Sequence, residues 1–161
     1  MDVDLAIVSK RDQRDYTERP IPEDVLRRIL DAGRMSGSSQ NKQQWEFVIV
    51  EAARQQLAET VWAPSNVLGA TLVIAICGDA QLFDVGRCAQ NMMLAAWGDG
   101  VTSCPNGLRD RDAASKICGA EVKIVLSFGH PARPLNPESR PPEEWSRRGR
   151  RKPLDQLVRR V

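Results

Sequence analysis

Histidine occurs once in this chain of 161 residues, at position 130, and the four cysteines, Cys77, Cys88, Cys104 and Cys118, stand apart with no Cys-x-x-Cys pair. A zinc centre of the usual ligand spacing therefore has no ligand set to draw on, and reduced thiols are expected. A Ser-His-Asp or Cys-His hydrolase would have to be built on His130, in the loop-like Gly129-His130-Pro131, and that class is set aside. Long apolar runs are also missing. The longest, around Leu72 to Cys77, is far short of the roughly 20 residues that cross a bilayer, so no transmembrane helix and no membrane partner are expected. Neither sign of charge dominates: 23 Lys and Arg stand against 21 Asp and Glu, a net charge of +2, which argues against a chain that coats nucleic acid or an anionic membrane. The acidic start Met1-Asp2-Val3-Asp4 lacks a basic region followed by an apolar segment, so a cytoplasmic protein is expected.

What is present, 42% hydrophobic and 27% charged residues, suits a single globular domain over 1–161 with a core that needs no staples. Pro22-Glu23-Asp24 opens a segment in which Val25, Leu26, Ile29 and Leu30 repeat at helical spacing and Gly33 can stop it. A polar loop, Met35 to Asn41, runs into Trp45–Val50, which reads as a buried strand. A short helix over Ala52–Val61, a strand over Ala70–Cys77, a long central helix over Leu82–Trp97 and a third strand over Val122–Phe128 follow. From His130 to Glu144 proline is dense, and this stretch reads as an extended arm, about 130–161, that carries Arg147-Arg148-Gly149-Arg150-Arg151-Lys152 and an amphipathic end, Pro153 to Val161. The order of elements predicts a mixed α and β domain of three layers.

Three polar islands interrupt this pattern: Lys10-Arg11-Asp12-Gln13-Arg14, Ser38-Ser39-Gln40-Asn41-Lys42-Gln43, and Arg150-Arg151-Lys152. Taken singly, the first reads as a solvated face and the second as a turn. The third, with Trp145 nearby, could serve single-stranded nucleic acid, but no other segment supplies a matching basic and aromatic face, and no nucleic-acid partner is expected.

Taken together and in order, the islands and their surroundings resemble the nitroreductase family over nearly the whole chain. The residues that carry the resemblance are Lys10 to Arg14, Tyr16 and Pro20-Ile21-Pro22-Glu23, then Gly37-Ser38-Ser39-Gln40-Asn41-Lys42-Gln43-Gln44-Trp45, which is the most specific motif, and the strand Phe47–Val50. Asp84-Val85-Gly86, Gln90–Ala96, Gly100, Cys104-Pro105-Asn106-Gly107 and Arg151-Lys152-Pro153-Leu154 follow in the family's order.

The resemblance implies an α+β, three-layer α/β/α fold with a central mixed sheet, and a homodimer that binds FMN at its interface and takes hydride from NADPH or NADH. It implies a small-molecule electron acceptor, a conjugated compound such as a nitroaromatic or quinone, served by a ping-pong sequence. The flavin does the chemistry, so no catalytic acid or base is assigned. Lys10, Arg11 and Arg14, with Arg150 and Arg151 from the arm, would offer charge and guanidinium forks to the FMN phosphate. Ser38, Ser39, Asn41 and Gln43 would serve the ribityl chain and the pyrimidine edge of the ring. Cys104, Pro105, Asn106 and Gly107 would form a tight turn against the flavin, with the Asn106 backbone N–H aimed at the ring nitrogen that accepts hydride. Asp12, an acid beside a phosphate, is left out of this set and expected to turn outward and hold Arg11 or Arg14. Little room remains between Val61 and Thr71 for the excursion that covers the substrate in larger relatives, which implies an open or differently roofed pocket. A flavin-binding module or sensor without robust turnover is the alternative.

Overall fold

A computed structural model describes residues 1–134 and 136–161. In chain order its elements are α1 (Val3–Ser9), α2 (Glu23–Arg34), β1 (Glu46–Ile49), α3 (Arg54–Ala58), α4 (Pro64–Leu68), β2 (Leu72–Cys77), α5 (Leu82–Gly98), β3 (Thr102–Asn106), α6 (Arg111–Cys118), β4 (Val122–Gly129) and α7 (Pro142–Arg148). The chain divides into two compact units, one of Arg11–Leu135 and one of Met1–Lys10 with Asn136–Val161.

The larger unit holds the sheet, in the order β1-β2-β4-β3. Leu72, Ile74 and Ile76 of β2 join Leu126 and Phe128 of β4 beneath α2 and α5, where Ile29 and Met92 are fully buried. Val73, Ala75 and Cys77 face the other way, with Val125, into a second core closed by Leu57, Val61, Val67 and Ala114. Each fully buried large side chain in these two cores contributes roughly 1.5–3 kcal/mol over an exposed one. This is the three-layer α/β/α arrangement read from the sequence.

The sheet itself departs from that reading. Among the described residues all three strand pairings are antiparallel, and parallel pairing is confined to an isolated bridge between Asp12 and Ser103, so the sheet is not mixed among its four strands. A continuous apolar strand such as β2 signals burial on both faces, which parallel sheets usually supply; here helices cover both faces of an antiparallel sheet. β1, expected as a buried strand, lies at an edge with its end residues exposed. The helix expected over 52–61 is shorter, α3 alone, and a further short helix not expected from the sequence, α4, starts at Pro64. Gly33 does not stop α2. It lies inside the helix where α2 crosses α5, and a Cβ there would come within 2.9 Å of the Met92 side chain and 2.8 Å of the Phe47 ring.

In the smaller unit α1 packs against α7. The arm is not extended throughout: Pro142 occupies the first turn of α7, Glu143 and Glu144 follow, and Arg147 and Arg148 close it, an arrangement that suits the helix dipole at both ends. Arg140 pairs with Glu144 at 3.0 Å and lies 5.1 Å from the Trp145 ring centroid, while the indole N–H donates to the Pro137 carbonyl at 2.8 Å. Beyond α7, Leu154, Leu157, Val158 and Val161 are all exposed.

Candidate functional site

Residues 12–14 run beside β3. Asp12 bridges to Ser103, the Gln13 N–H donates to the Ser103 carbonyl at 3.3 Å, and Arg14 Nε donates to Cys104 Sγ at 3.3 Å. Arg14 is exposed while Cys104 is 1% exposed, so a buried sulfur fixes the root of an exposed guanidinium. Among the described residues the two Nη atoms of Arg14 have no hydrogen-bond partner. The bond to Cys104, reinforced by the field of Asp12, holds Arg14 above its ordinary value. Asp12 is near enough for its charge to favour the Arg14 cation.

Cys104, Pro105 and Asn106 do not form a tight turn. They are the end of β3, an edge strand, where a proline costs no ladder bond on its solvent side, and Gly107 follows as an exposed residue. The Asn106 side chain is buried and committed: Nδ2 lies 3.1 Å from the Cys104 carbonyl, 3.3 Å from the Val125 carbonyl and 3.1 Å from Ser127 Oγ. Its Oδ1 accepts from Asn66 Nδ2 of α4 at 3.0 Å, and Asn66 reaches Cys104 Sγ at 3.9 Å. Ser127 Oγ also meets the Tyr16 hydroxyl at 3.1 Å, and burial first of all pushes that phenol up to about 12. A polar network thus ties the end of β3 to α4, β4 and the segment after Arg14. Asn66 and Ser127 were not singled out from the sequence, where Ser127 is one polar position in a strand.

Ser38, Ser39, Asn41 and Gln43 lie in the loop before β1, held by its own chemistry. Gln40, Asn41 and Gln43 all have left-handed φ of 50–54°, uncommon for residues other than glycine. Gln43 N–H donates to Ser38 Oγ at 2.9 Å, Gln43 Nε2 to the Asn41 carbonyl at 3.1 Å, and Ser39 N–H to the buried Asp84 carboxylate at the start of α5 at 3.0 Å. Ser39, Asn41 and Gln43 are exposed and Ser38 is half-buried, so the loop presents short polar side chains to solvent on a defined backbone. It enters β1 at one edge of the sheet, whereas Arg14 and Cys104 to Gly107 lie along β3 at the other, with two strands, about 14 Å, between the edges. The structure brings Arg14 and the Cys104 segment together and does not bring the Ser38 loop to them within one chain.

Arg11, half-buried, precedes these residues in the larger unit. Lys10, whose backbone N–H closes α1 on the Ala6 carbonyl, and Arg150 and Arg151, both exposed, belong to the smaller unit, with Arg150 in left-handed conformation at φ 49°. His130 is no part of the site: burial and Arg19 lower it from its ordinary value, and its Nε2 is buried without a partner among the described residues.

The model of the nitroreductase family matches residues 7–80 and 75–130. The chain belongs to the nitroreductase family. A relative from Methanothermobacter thermautotrophicus, named "Putative NADH dehydrogenase/NAD(P)H nitroreductase", is 30% identical over 158 residues, 87% of this chain and 82% of its own length. Among solved structures, the fold is shared with a Desulfovibrio desulfuricans protein, "a putative nitroreductase in complex with FMN", at a TM-score of 0.80 and 23% identity over 100% of this chain and 98% of that one. It is shared too with the NADPH:FMN oxidoreductase of Vibrio harveyi, solved with NAD+, at a TM-score of 0.80 and 24% identity over 98% and 76% of the two chains. Among the described residues of this nitroreductase-family fold, no helix is long and apolar enough to cross a membrane, and no group of three or more His, Cys, Asp or Glu is placed to hold a metal.

Proposed function

We propose that this chain is an FMN-dependent oxidoreductase that takes hydride from NADPH or NADH and passes electrons to a small conjugated acceptor such as a nitroaromatic or quinone. The observation that carries the reading is Arg14: an exposed guanidinium, pinned through Nε on Cys104, with both Nη donors left for a ligand in a family member. That geometry fits a phosphate, since a fork of parallel N–H donors meets two phosphate oxygens at once. The names of the relatives, which pair nitroreductase with NAD(P)H and FMN, support it.

Bound FMN supplies a ring that accepts and returns hydride. The chain's own residues do the rest. Arg14 and Arg11 bind the phosphate. Ser38, Ser39, Asn41 and Gln43 orient the ribityl chain and pyrimidine edge. Cys104, Pro105 and Gly107 lie against the ring with the Asn106 backbone N–H as donor to it, and the committed Asn106 side chain keeps that backbone in place.

The functional unit in this reading is a homodimer with FMN between subunits. Two features support it: the Ser38 loop and the Arg14–Cys104 pair occupy opposite edges of one sheet, so one flavin meets both when two chains each give a half. The exposed Leu154, Leu157, Val158 and Val161 also give the arm an apolar surface for a second copy to cover.

The test is the visible spectrum of the purified protein, then anaerobic NADPH and NADH in the same cuvette. Flavin bands that bleach establish the reductase. Bound flavin that neither donor reduces leaves a binding module, and a colourless protein that takes up no FMN removes both.

A further inference from the structure

Trp62 is 73% exposed, although an indole is among the costliest side chains to leave in water. The backbone beneath it is anchored. Val61, before it, is fully buried and bridges to Leu108; the Trp62 N–H donates to the Gly107 carbonyl at 3.1 Å; and two residues later Pro64 begins α4. That helix is fixed in turn by Asn66 on Asn106. The indole lies over Gly107, where an added Cβ would come to 3.3 Å from Cδ1. Among the described residues no cation or aromatic ring covers it, unlike Phe83, which has the Arg87 guanidinium 5.8 Å from its centroid.

The chain thus presents a bare, flat, electron-rich surface beside Gly107, the residue that ends the candidate flavin segment. We infer that Trp62 is the specificity-determining platform for the electron acceptor, which stacks on it as a planar, electron-poor aromatic ring. The inference rests on the FMN-reductase reading and deepens it. An electron-poor ring gains most from an indole face because its quadrupole is opposite in sign. Trp62 makes and breaks no bond; it selects by shape and holds the ring at the mouth of the site.

The test uses the FMN-loaded protein with 4-nitrobenzoate as the planar acceptor and ferricyanide as an oxidant with no ring to stack. In Trp62→Ala the ratio of kcat/KM for 4-nitrobenzoate to that for ferricyanide falls about three- to tenfold, and Trp62→Phe keeps most of it. In the oxidised wild-type holoprotein, 4-nitrobenzoate quenches the exposed tryptophan emission, and this quench is lost in Trp62→Phe. An unaltered ratio in Trp62→Ala with FMN bound and bleached by NADPH overturns the inference and leaves the reductase reading standing. So does a Trp62→Ala protein whose defect is dimer dissociation on sedimentation, which would make Trp62 an interface residue. A wild-type protein that binds no FMN fails at the earlier step and takes the inference down with it.

Discussion

Arg14 and Cys104, 90 positions apart, meet through an Nε–H···Sγ hydrogen bond of 3.3 Å in which the sulfur is buried and the guanidinium is not. The cysteine thus acts as a positioning residue for the cation. Arg14→Ala should weaken FMN by tenfold or more, from roughly 1.5–3 kcal/mol per charge-assisted hydrogen bond. Cys104→Ala, which keeps the charge but frees the side chain, should weaken it about three- to tenfold through the lost preorganisation. Titration of flavin fluorescence reads both. Equal affinity in wild type and Arg14→Ala refutes the phosphate assignment.

Asn106 anchors the end of β3 by bonds that no other side chain can replace in place. Asn106→Ala leaves the Asn66 amide and the Ser127 hydroxyl short of a partner in a buried setting. The expected loss is roughly 2–4 kcal/mol of unfolding free energy in urea, with FMN affinity falling alongside.

Tyr16 is the one tyrosine in the chain, so its ionisation can be followed directly by ultraviolet absorbance. The phenol should titrate near 12, not near its ordinary 10.0, because burial disfavours the phenolate. The folded value lies above the unfolded one, so this contribution to stability is complete below about pH 10 and is lost as pH rises through about 12. Tyr16→Phe should cost about 1 kcal/mol through the lost bond to Ser127.

His130, the single histidine, works in the opposite direction. Burial, and then Arg19, favour its neutral form, so its folded value lies below the ordinary 6.5. Its contribution is present above pH 6.5 and is lost as pH falls through the folded value. Between pH 8 and 5 the Tm of wild type should drop more than that of His130→Gln, and the one imidazole signal in NMR should titrate below 6.5.

If FMN binds between subunits, ligand and dimer are linked, each strengthening the other. A dilution series followed by sedimentation should show dissociation at lower protein concentration with FMN than without. Identical dissociation in both sinks the shared site.

Long periodic segments carried the fold: α2, β2, α5 and β4 were legible because their apolar residues repeat at helical or strand spacing over two full cores. β3 was not, since Thr102-Ser103-Cys104-Pro105-Asn106 has neither β-branched density nor an apolar run, and it becomes a strand only because β4 lies beside it. α6 had a readable signature that went unused, Asp110 capping the Ala113 N–H at 2.9 Å and Gly119 in left-handed conformation at its end. In the site, the residues that face solvent, Arg14 and the Ser38 loop, were found by motif. Asn66 and Ser127, which hold the end of β3 through Asn106, were not, because a buried amide or hydroxyl is recognisable only once its partners are known.

The central place of β2 sets a timing problem for the ribosome. Leu72 to Cys77, apolar on both faces, is complete as a segment about fifty residues before β4, the neighbour that must lie along one of its two sides. At roughly 5–20 residues per second, that stretch spends several seconds with only β1 to pair with. In a nascent chain it is the segment most in need of a chaperone, and slowing translation between residues 78 and 129 should cost soluble yield more than slowing it anywhere after β4 has emerged.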